Sequence, residues 1–512
     1  MNYTGFTPRS LLLTPHCLVL GVLLVTLAGC GDNGDNSDEA IRFGISTEPT
    51  TLDPRYATDA VSTRINRLIY SRMVEFDEQY RFVPSLTSWK RLSSRHYRFQ
   101  LKKDRNPFHH GRALAAGDIK ATYESVLTRD AASPHRTSLD MVGRIEVIDD
   151  NTVDFHLLRS DTLFPGRLTI GILPADLIRK DHSFNKKPVG SGPLRFSSRS
   201  DDGNLVLTRI EDHQVIRFVT VRDQTVRVLK LLSGEIDLTQ NELPQELIDW
   251  LREKESVRIK KVRGDTFTYI GFNLQDLLTG DLRVRQAIAH AINVRPVIRH
   301  LFRNSARPAR SLLPPEHWAG HDRLNGEGYS PERARKLLKQ AGYSADRPLK
   351  LTFKTSTNPR SLRIATIFQQ QLARVGIELV LSSYDWGTFY GDIKAGKFQM
   401  YSLSWVGLKM PDIYRTIFHS DSVPPAGANR GRLADPDVDH LIEKAENMEN
   451  MQDKAGVYIQ LQERLHDIKP YVPLWYEDNI LIMNRRLAGY QPAMDGNYDD
   501  LNQIHWSDDS NE

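Results

Sequence analysis

Few residues in this chain are placed for covalent chemistry. Among 512 residues there are two cysteines, Cys17 and Cys30. Cys30 has the telling context. It follows an apolar run at 18–28 and the small pair Ala28-Gly29, and "GDNGDNSDE" comes after it. A thiolate attacks readily and can form a stable thioether. The neighbours His109 and His110 in "FHHG" invite a metal reading. Adjacent strand residues point to opposite faces and chelate poorly together, so no metal site is expected there. "GSG" at 190–192 lacks the Lys-Ser/Thr that completes a phosphate loop. Neither Gly-x-Ser-x-Gly nor His-Glu-x-x-His occurs, and the Asp/Glu pairs sit in no catalytic motif. The chemistry that remains is binding without turnover. No catalytic residue, resident metal or cofactor is expected.

The start of the chain explains Cys30. The apolar run is too short to span a bilayer, which takes about 20 residues. It suits the core of a secretory signal. Leu27-Ala28-Gly29-Cys30 resembles a bacterial lipobox. That resemblance implies a signal peptide at 1–29, cut before Cys30, and a diacylglyceryl group on the sulfur with acylation of the new N-terminus. Two or more acyl chains anchor stably where one does not. Residues 30–40 read as the lipidated cysteine and a solvated tether. Cys17 leaves with the leader, so no disulfide, thiolate metal site or cysteine nucleophile is expected in the body. The formal charge of +4 falls to +3 once Arg9 is removed. That near balance, without a long basic run, gives no nucleic-acid signature.

The elements that position any binding residues follow from periodicity. "AIRFGIS" alternates as a strand, and Val61, Ile65, Leu68, Ile69 and Met73 share one helical face. "HYRFQLK" alternates again. "RIEVIDDNTVDFHLL" reads as a hairpin turning at Asp150-Asn151. With a helix near 118–128, residues 76–189 form a sheet-rich unit. "PVGSGPLRF" is a breaker cluster that returns the chain to another unit. Strands "NLVLTRI" and "IRFVTV" and a helix over 223–233 follow. From about 269, helix and strand alternate. Ser330 caps a helix that starts at Pro331 and stops before Gly342. "LKLTFK", a helix over 359–375 and "IELVLS" make a right-handed βαβ unit with parallel strands. "FQMYSLSW", helices near 436–449 and 452–467, and two closing strands, "VPLWY" and "NILIMN", complete the body.

The order of motifs resembles the family 5 extracellular solute-binding proteins, the peptide and nickel receptors of ABC importers. The resemblance is carried by "STEPTTLDP", the stretch 68–127 with its Pro-Ser-Leu and Trp89, "PVGSGPLRF", "GEIDL", and "YIGFNLQ" with "LRVRQAIAHAINVRPVI". "ARKLLKQAGY", "QQQLARVGIEL" and "ADPDVDHLIEKA" follow in family order. It implies an α/β fold, a two-lobed periplasmic-binding-protein clamshell of the large type II form. An extra sheet-rich domain, 76–189, is inserted in lobe 1. Lobe 1 would comprise 41–75, 190–268 and the return 477–512, and lobe 2 would comprise 269–476. The implied partners are a short peptide or peptide-like ligand, an ABC permease with its ATPase, and a membrane reached through the lipid anchor. The domain is expected to be a monomer facing the periplasm or exterior.

The resemblance also proposes ligand contacts and shows one departure. Peptide-binding members carry Trp-x-Ala-Asp, whose aspartate pairs with the peptide ammonium. Here the strand reads "SLSWVGLKMPDIY": Trp405 is present, but Leu408 and Lys409 stand where the aspartate belongs. Lys409 would favour an anionic group or a modified N-terminus, or else another carboxylate, such as Glu48, takes the ammonium. Residues 402–405, with Ser404, would pair strand-like with an extended ligand, which tolerates many side chains. Asn429 and Arg430 in "GANRGRL" fall where the family places a cleft-facing asparagine, and Arg430 suits a carboxylate. Trp386 and Phe389 read as packing. Two alternatives stay open: a nickel- or metal-chelate or other anionic-solute receptor of the same fold, and a sensor without a permease.

Overall fold

Two long strands run through the largest sheet and join its two halves. The computed structural model describes residues 40–129, 132–326 and 328–507. The expected signal, lipobox and tether at 1–39 lie outside the described residues. Val257–Phe272 and Tyr471–Asn484 are antiparallel partners at the centre of an eleven-stranded sheet. On one side the sheet continues through Leu238–Gln240, Ile41–Ile45, Val215–Thr220, Leu205–Arg209 and Leu194–Arg199. On the other it continues through Met400–Trp405, Leu349–Ser356 and Ile377–Tyr384. These halves are the sheets of two lobes.

The joint is a bulge in the long strand. Residues 257–262 pair with 484–479 and residues 266–271 with 477–471, with the register shifting between Val262 and Thr266. An extra residue in one strand bends it and increases its twist. Gly264 makes this possible, because a Cβ there would stand 2.1 Å from the Glu477 carbonyl oxygen. Two expectations change here. "VPLWY" and "NILIMN" are one strand, and the strand ending at Phe272 starts at Val257, well before the "YIGFN" motif. Charged residues at the crossing (Arg263, Asp265, Glu477, Asp478) interrupt the apolar alternation, while the backbone pairing runs past them.

Each lobe buries apolar side chains on both faces of its sheet. In lobe 1, Ile41, Phe43, Ile65, Leu207 and Phe218 fill one face, and Val228, Ile236 and Ile248 the other. In lobe 2, Ile288, Phe368 and Trp475 oppose Tyr401, Tyr414 and Tyr458. Helix Pro359–Ala373 joins two parallel strands, Leu349–Ser356 and Ile377–Tyr384. Ser330 accepts from the Arg333 N–H, Pro331 opens that helix, and Gly342 follows at φ +92°.

A separate sheet orders Thr87–Ser93, His96–Leu101, Thr152–Leu157 and Val142–Asp149, with helix Ala116–Leu127 packed on it through Ile119, Tyr123 and Val126. The chain returns from it through the glycines of "PVGSG". Cβ atoms at Gly190 and Gly192 would come within 1.9 and 2.4 Å of the Ile69 and Leu68 carbonyls, so only glycine lets these backbones touch. In the "FHHG" turn, His109 Nε2 lies 3.0 Å from the Gly192 carbonyl and Gly111 has φ +92°.

Candidate functional site

Three groups of residues gather where the lobe 2 strands end. The first is the segment after Trp405, which lies against lobe 1 and the inserted sheet. Lys409 Nζ stands 2.5 Å from Asp495 and 5.5 Å from the centre of the Phe76 ring. Asp495 belongs to the C-terminal return, whose backbone is held on lobe 1 by Asn479 and Gln240. Nearby, Asp412 meets Arg167 at 2.5 Å, and Arg167 also binds Asp161 of the inserted unit. Met410 packs so closely on Gly166 that a Cβ there would lie 2.8 Å from its sulfur. Leu408 is buried in the lobe 2 core.

The bulge residue Asp265 faces this cluster. It is buried and accepts a 3.3 Å hydrogen bond from the Tyr80 hydroxyl. Burial, then the charge of Asp495, push its carboxyl up to about 7, although Lys409 and Tyr80 pull the other way. Asp495 goes in the opposite direction. Burial disfavours its charge, but Lys409 and Arg67 outweigh that and hold it well below the usual carboxylate range. Two neighbouring carboxylates are thus pushed apart, one ionised and one readily protonated. His317 closes the cluster: its Nδ1 accepts from the Ala319 N–H, so its Nε2–H donates to the Lys409 carbonyl at 3.2 Å. Burial lowers its pKa to about 4, so the ring is neutral at pH 7.

The second group surrounds Arg430. This guanidinium is buried, donates to the Tyr269 hydroxyl at 3.2 Å and the Tyr390 hydroxyl at 3.1 Å, and stands 4.6 Å from the Trp405 ring centre. Among the described residues no carboxylate lies within 4 Å of it. Arg430 Nε and Trp405 Nε1 are both buried without a hydrogen-bond partner. A buried cation without an anion is costly. Trp386, stacked on the Tyr390 that Arg430 reaches, exposes 59% of its surface, and Val406, next to Trp405, exposes 49%.

The third group is the strand itself. Met400–Trp405 pairs along its whole length with Val257–Phe272, but with Leu349–Ser356 only at Met400 and Tyr401. From Ser402 to Trp405 its second edge meets no strand among the described residues. Ser404 is exposed, and its hydroxyl lies 2.7 Å from that of Thr268, which bonds to Glu477.

The residues singled out in the sequence therefore separate. Trp405 and Arg430 are stacked, Ser404 lies on the open edge, and Lys409 lies four residues beyond Trp405. Asn429 does not join them. Its amide donates to the His419 and Leu433 carbonyls and accepts from the Leu433 N–H, so it is consumed in holding its own loop. Glu48 does not meet Lys409 either. It is paired with Arg199 at 3.1 Å, on the outermost strand of lobe 1. The carboxylates that do face Lys409, Asp495 and Asp265, had no sequence signal beyond the acidic turn "MDGNYDD" and a glycine-aspartate in a charged strand. Trp386 and Phe389 divide, with Trp386 exposed and stacked on Tyr390 and Phe389 buried in the core.

Comparison with known proteins now decides the class. The model of the bacterial extracellular solute-binding proteins, family 5, matches residues 82–423. The chain belongs to that family. The dipeptide-binding protein of Escherichia coli is 23% identical, with 96% of each chain covered. The structure of the oligopeptide-binding protein AppA from Bacillus subtilis, in complex with a nonapeptide, superposes with a TM-score of 0.76 at 24% identity, covering 91% of this chain and 99% of that one. NikZ from Campylobacter jejuni, in complex with Ni(L-His), gives 0.79 at 22% identity over 91% and 99%. At these identities the structural likeness establishes the two-lobed fold. Members of the family bind solutes for transport and are not enzymes. Among the described residues no helix is long and apolar enough to cross a membrane.

Proposed function

We propose that this chain is the substrate-binding lipoprotein of an ABC importer, which closes its two lobes around a short peptide or peptide-like solute and delivers it to a membrane permease. The observation that carries this reading is the free edge of Ser402–Trp405 beside the unneutralised Arg430. An extended ligand can add to that edge through its main chain, indifferent to side-chain identity. A ligand carboxylate can take the place Arg430 leaves for an anion, with Trp405 supplying a further N–H. The exposed Trp386 and Val406 offer apolar area for side chains.

Lys409 changes the other end. Its charge is matched by Asp495, so an incoming ammonium would have to share Asp495 or recruit Asp265. A ligand with a modified or absent amine avoids that competition. Arg430, the cation left without a carboxylate, favours the second reading, an anionic small solute. A chelate coordinated by the protein is less suited to this seam, where both ring nitrogens of His317 are already bonded.

Cys30 supplies the anchor and keeps the body beside its permease and ATPase. The proposed layout is a split lobe 1 (41–75, 190–268, 477–512), the insertion 76–189 and lobe 2 (269–476). Denaturing mass spectrometry of what co-purifies with residues 31–512, expressed without the leader, tests the ligand class. Short peptides support the peptide reading. A single anionic small molecule, depleted in an Arg430→Gln variant, supports the second. A cargo unchanged by Arg430→Gln would overturn the role given to the strand edge and Arg430.

A further inference from the structure

The outer face of the inserted sheet carries a side-chain cluster that cargo binding does not use. On His96–Leu101 the residues Tyr97, Phe99 and Leu101 point into the core, which leaves His96, Arg98 and Gln100 on the other face. On Thr152–Leu157 the same alternation places Asp154 and His156 outward. The antiparallel register sets His96 opposite His156 and Arg98 opposite Asp154. Two imidazoles thus sit side by side, ring centres 4.2 Å apart and nearly parallel. The Asp154 carboxylate reaches across to His96 Nε2 at 2.8 Å.

We propose that His96, Asp154 and His156 form a divalent transition-metal site on the inserted sheet, of the kind that takes zinc. One ligand atom from each residue lies within 4.8 Å of the others. Donors around a tetrahedral zinc ion sit about 2.0–2.2 Å from the metal and so about 3.4 Å from one another. Binding would draw these side chains together by the difference. Two imidazole nitrogens and one carboxylate oxygen are the donor set that suits zinc and its neighbours, and water would complete the shell. Glu146, opposite Asp154 on the next strand, lies 3.3 Å from His156 Nε2 and adds an oxygen on the same face. Both histidines are about one quarter exposed, so an ion can reach them, while the Asp154 carboxylate is almost fully buried and held in place.

The competing groups are also on this face. Arg98 donates to both oxygens of Asp154, at 2.8 and 2.9 Å, and Arg144 pairs with Glu146 at 2.9 Å and approaches His156 Nε2 at 3.1 Å. Arg98 competes with a metal ion for the Asp154 oxygens and repels it by its charge. This makes a specific expectation: the site is weakened by its own arginine and should tighten when that arginine is neutralised. The two bound strands would also be clamped together.

Isothermal titration of zinc into the untagged, chelator-treated protein is the test, with His96→Gln, His156→Gln and Arg98→Gln variants and melting curves to verify folding. The expected result is one zinc per chain, lost or weakened at least about tenfold in either histidine variant and tightened in Arg98→Gln. Visible d–d bands of cobalt at the same stoichiometry, absent from the His96→Gln/His156→Gln double variant, would report nitrogen ligation directly. Absence of zinc binding below about 100 µM, or binding that survives unchanged in the double variant, would overturn the site.

Discussion

Replacing Asp265 by Asn should remove a pH dependence that the hinge builds into the folded protein. The carboxyl of Asp265 is pushed up to about 7 by burial and by Asp495. In the unfolded chain it titrates near 3.9. Between those values the folded state binds the proton more tightly than the unfolded state does. Stability from this group is therefore full at about pH 4, declines as pH rises through 7, and is lost by about pH 8. A difference of about three units corresponds to about 4 kcal/mol, an upper bound for a group that can relax. For a chain of this size, 1 kcal/mol moves the midpoint by roughly 1 °C. Wild type should thus lose up to about 4 °C relative to Asp265→Asn between pH 4 and pH 8. The comparison must be a difference between the two proteins, because His317 acts in the opposite sense. Its pKa is lowered to about 4, so it costs stability as pH falls from about 6.5. Differential scanning calorimetry of both proteins across that range reads the effect. Parallel melting curves, with no pH-dependent gap, would refute the assignment of Asp265 as a protonated hinge carboxyl.

Four other outcomes follow from named contacts. Lys409→Met should destabilise the protein by about 3 kcal/mol because it strands the mostly covered Asp495. Adding Asp495→Asn should recover most of that, and a double-mutant coupling below about 0.5 kcal/mol in urea unfolding would show that the pair does not bridge the lobes. Arg430→Gln should weaken a carboxylate-bearing ligand about 100-fold in calorimetric titration while Asn429→Ala changes affinity only through stability; equal losses of affinity at matched folding would reverse the two roles. Gly264→Ala should lower the melting temperature, since its Cβ would meet the Glu477 carbonyl at 2.1 Å, and a neutral result would mean the bulge can be repaired elsewhere. Cys30→Ala should move the protein from the membrane to the soluble fraction, and membrane retention equal to wild type would end the anchor proposal.

The local elements were legible because each is governed by near neighbours. Ser330, Pro331 and Gly342 bracket a helix through capping and backbone preference, and Asp150-Asn151 turns a hairpin between two alternating strands. The family, too, could be read from ordered motifs spread along the chain. Local pattern fails where pairing, not alternation, defines an element. Tyr471–Asn484 looks like two strands because Glu477 and Asp478 interrupt its apolar run, yet its partner continues past them. Of the proposed ligand contacts, Trp405 and Arg430 share a site, whereas Asn429 serves its loop and Glu48 is paired with Arg199. Nothing within those segments distinguishes the two pairs.

By itself the sequence pointed to a binding protein, because it carries no catalytic motif and its ordered motifs resemble the family 5 receptors, and that resemblance is what implied the α/β clamshell. The lipobox-like spacing before Cys30 and the presence of Lys409 after Trp405 are likewise local, readable from residue type and order. The tertiary structure alone decided what Lys409 faces. Asp495 is 86 residues further along the chain and Asp265 is 144 residues before it, and only the crossing of the two long strands brings both to its side. Their split protonation follows from burial and from each other's charge, quantities that exist only once the chain has folded.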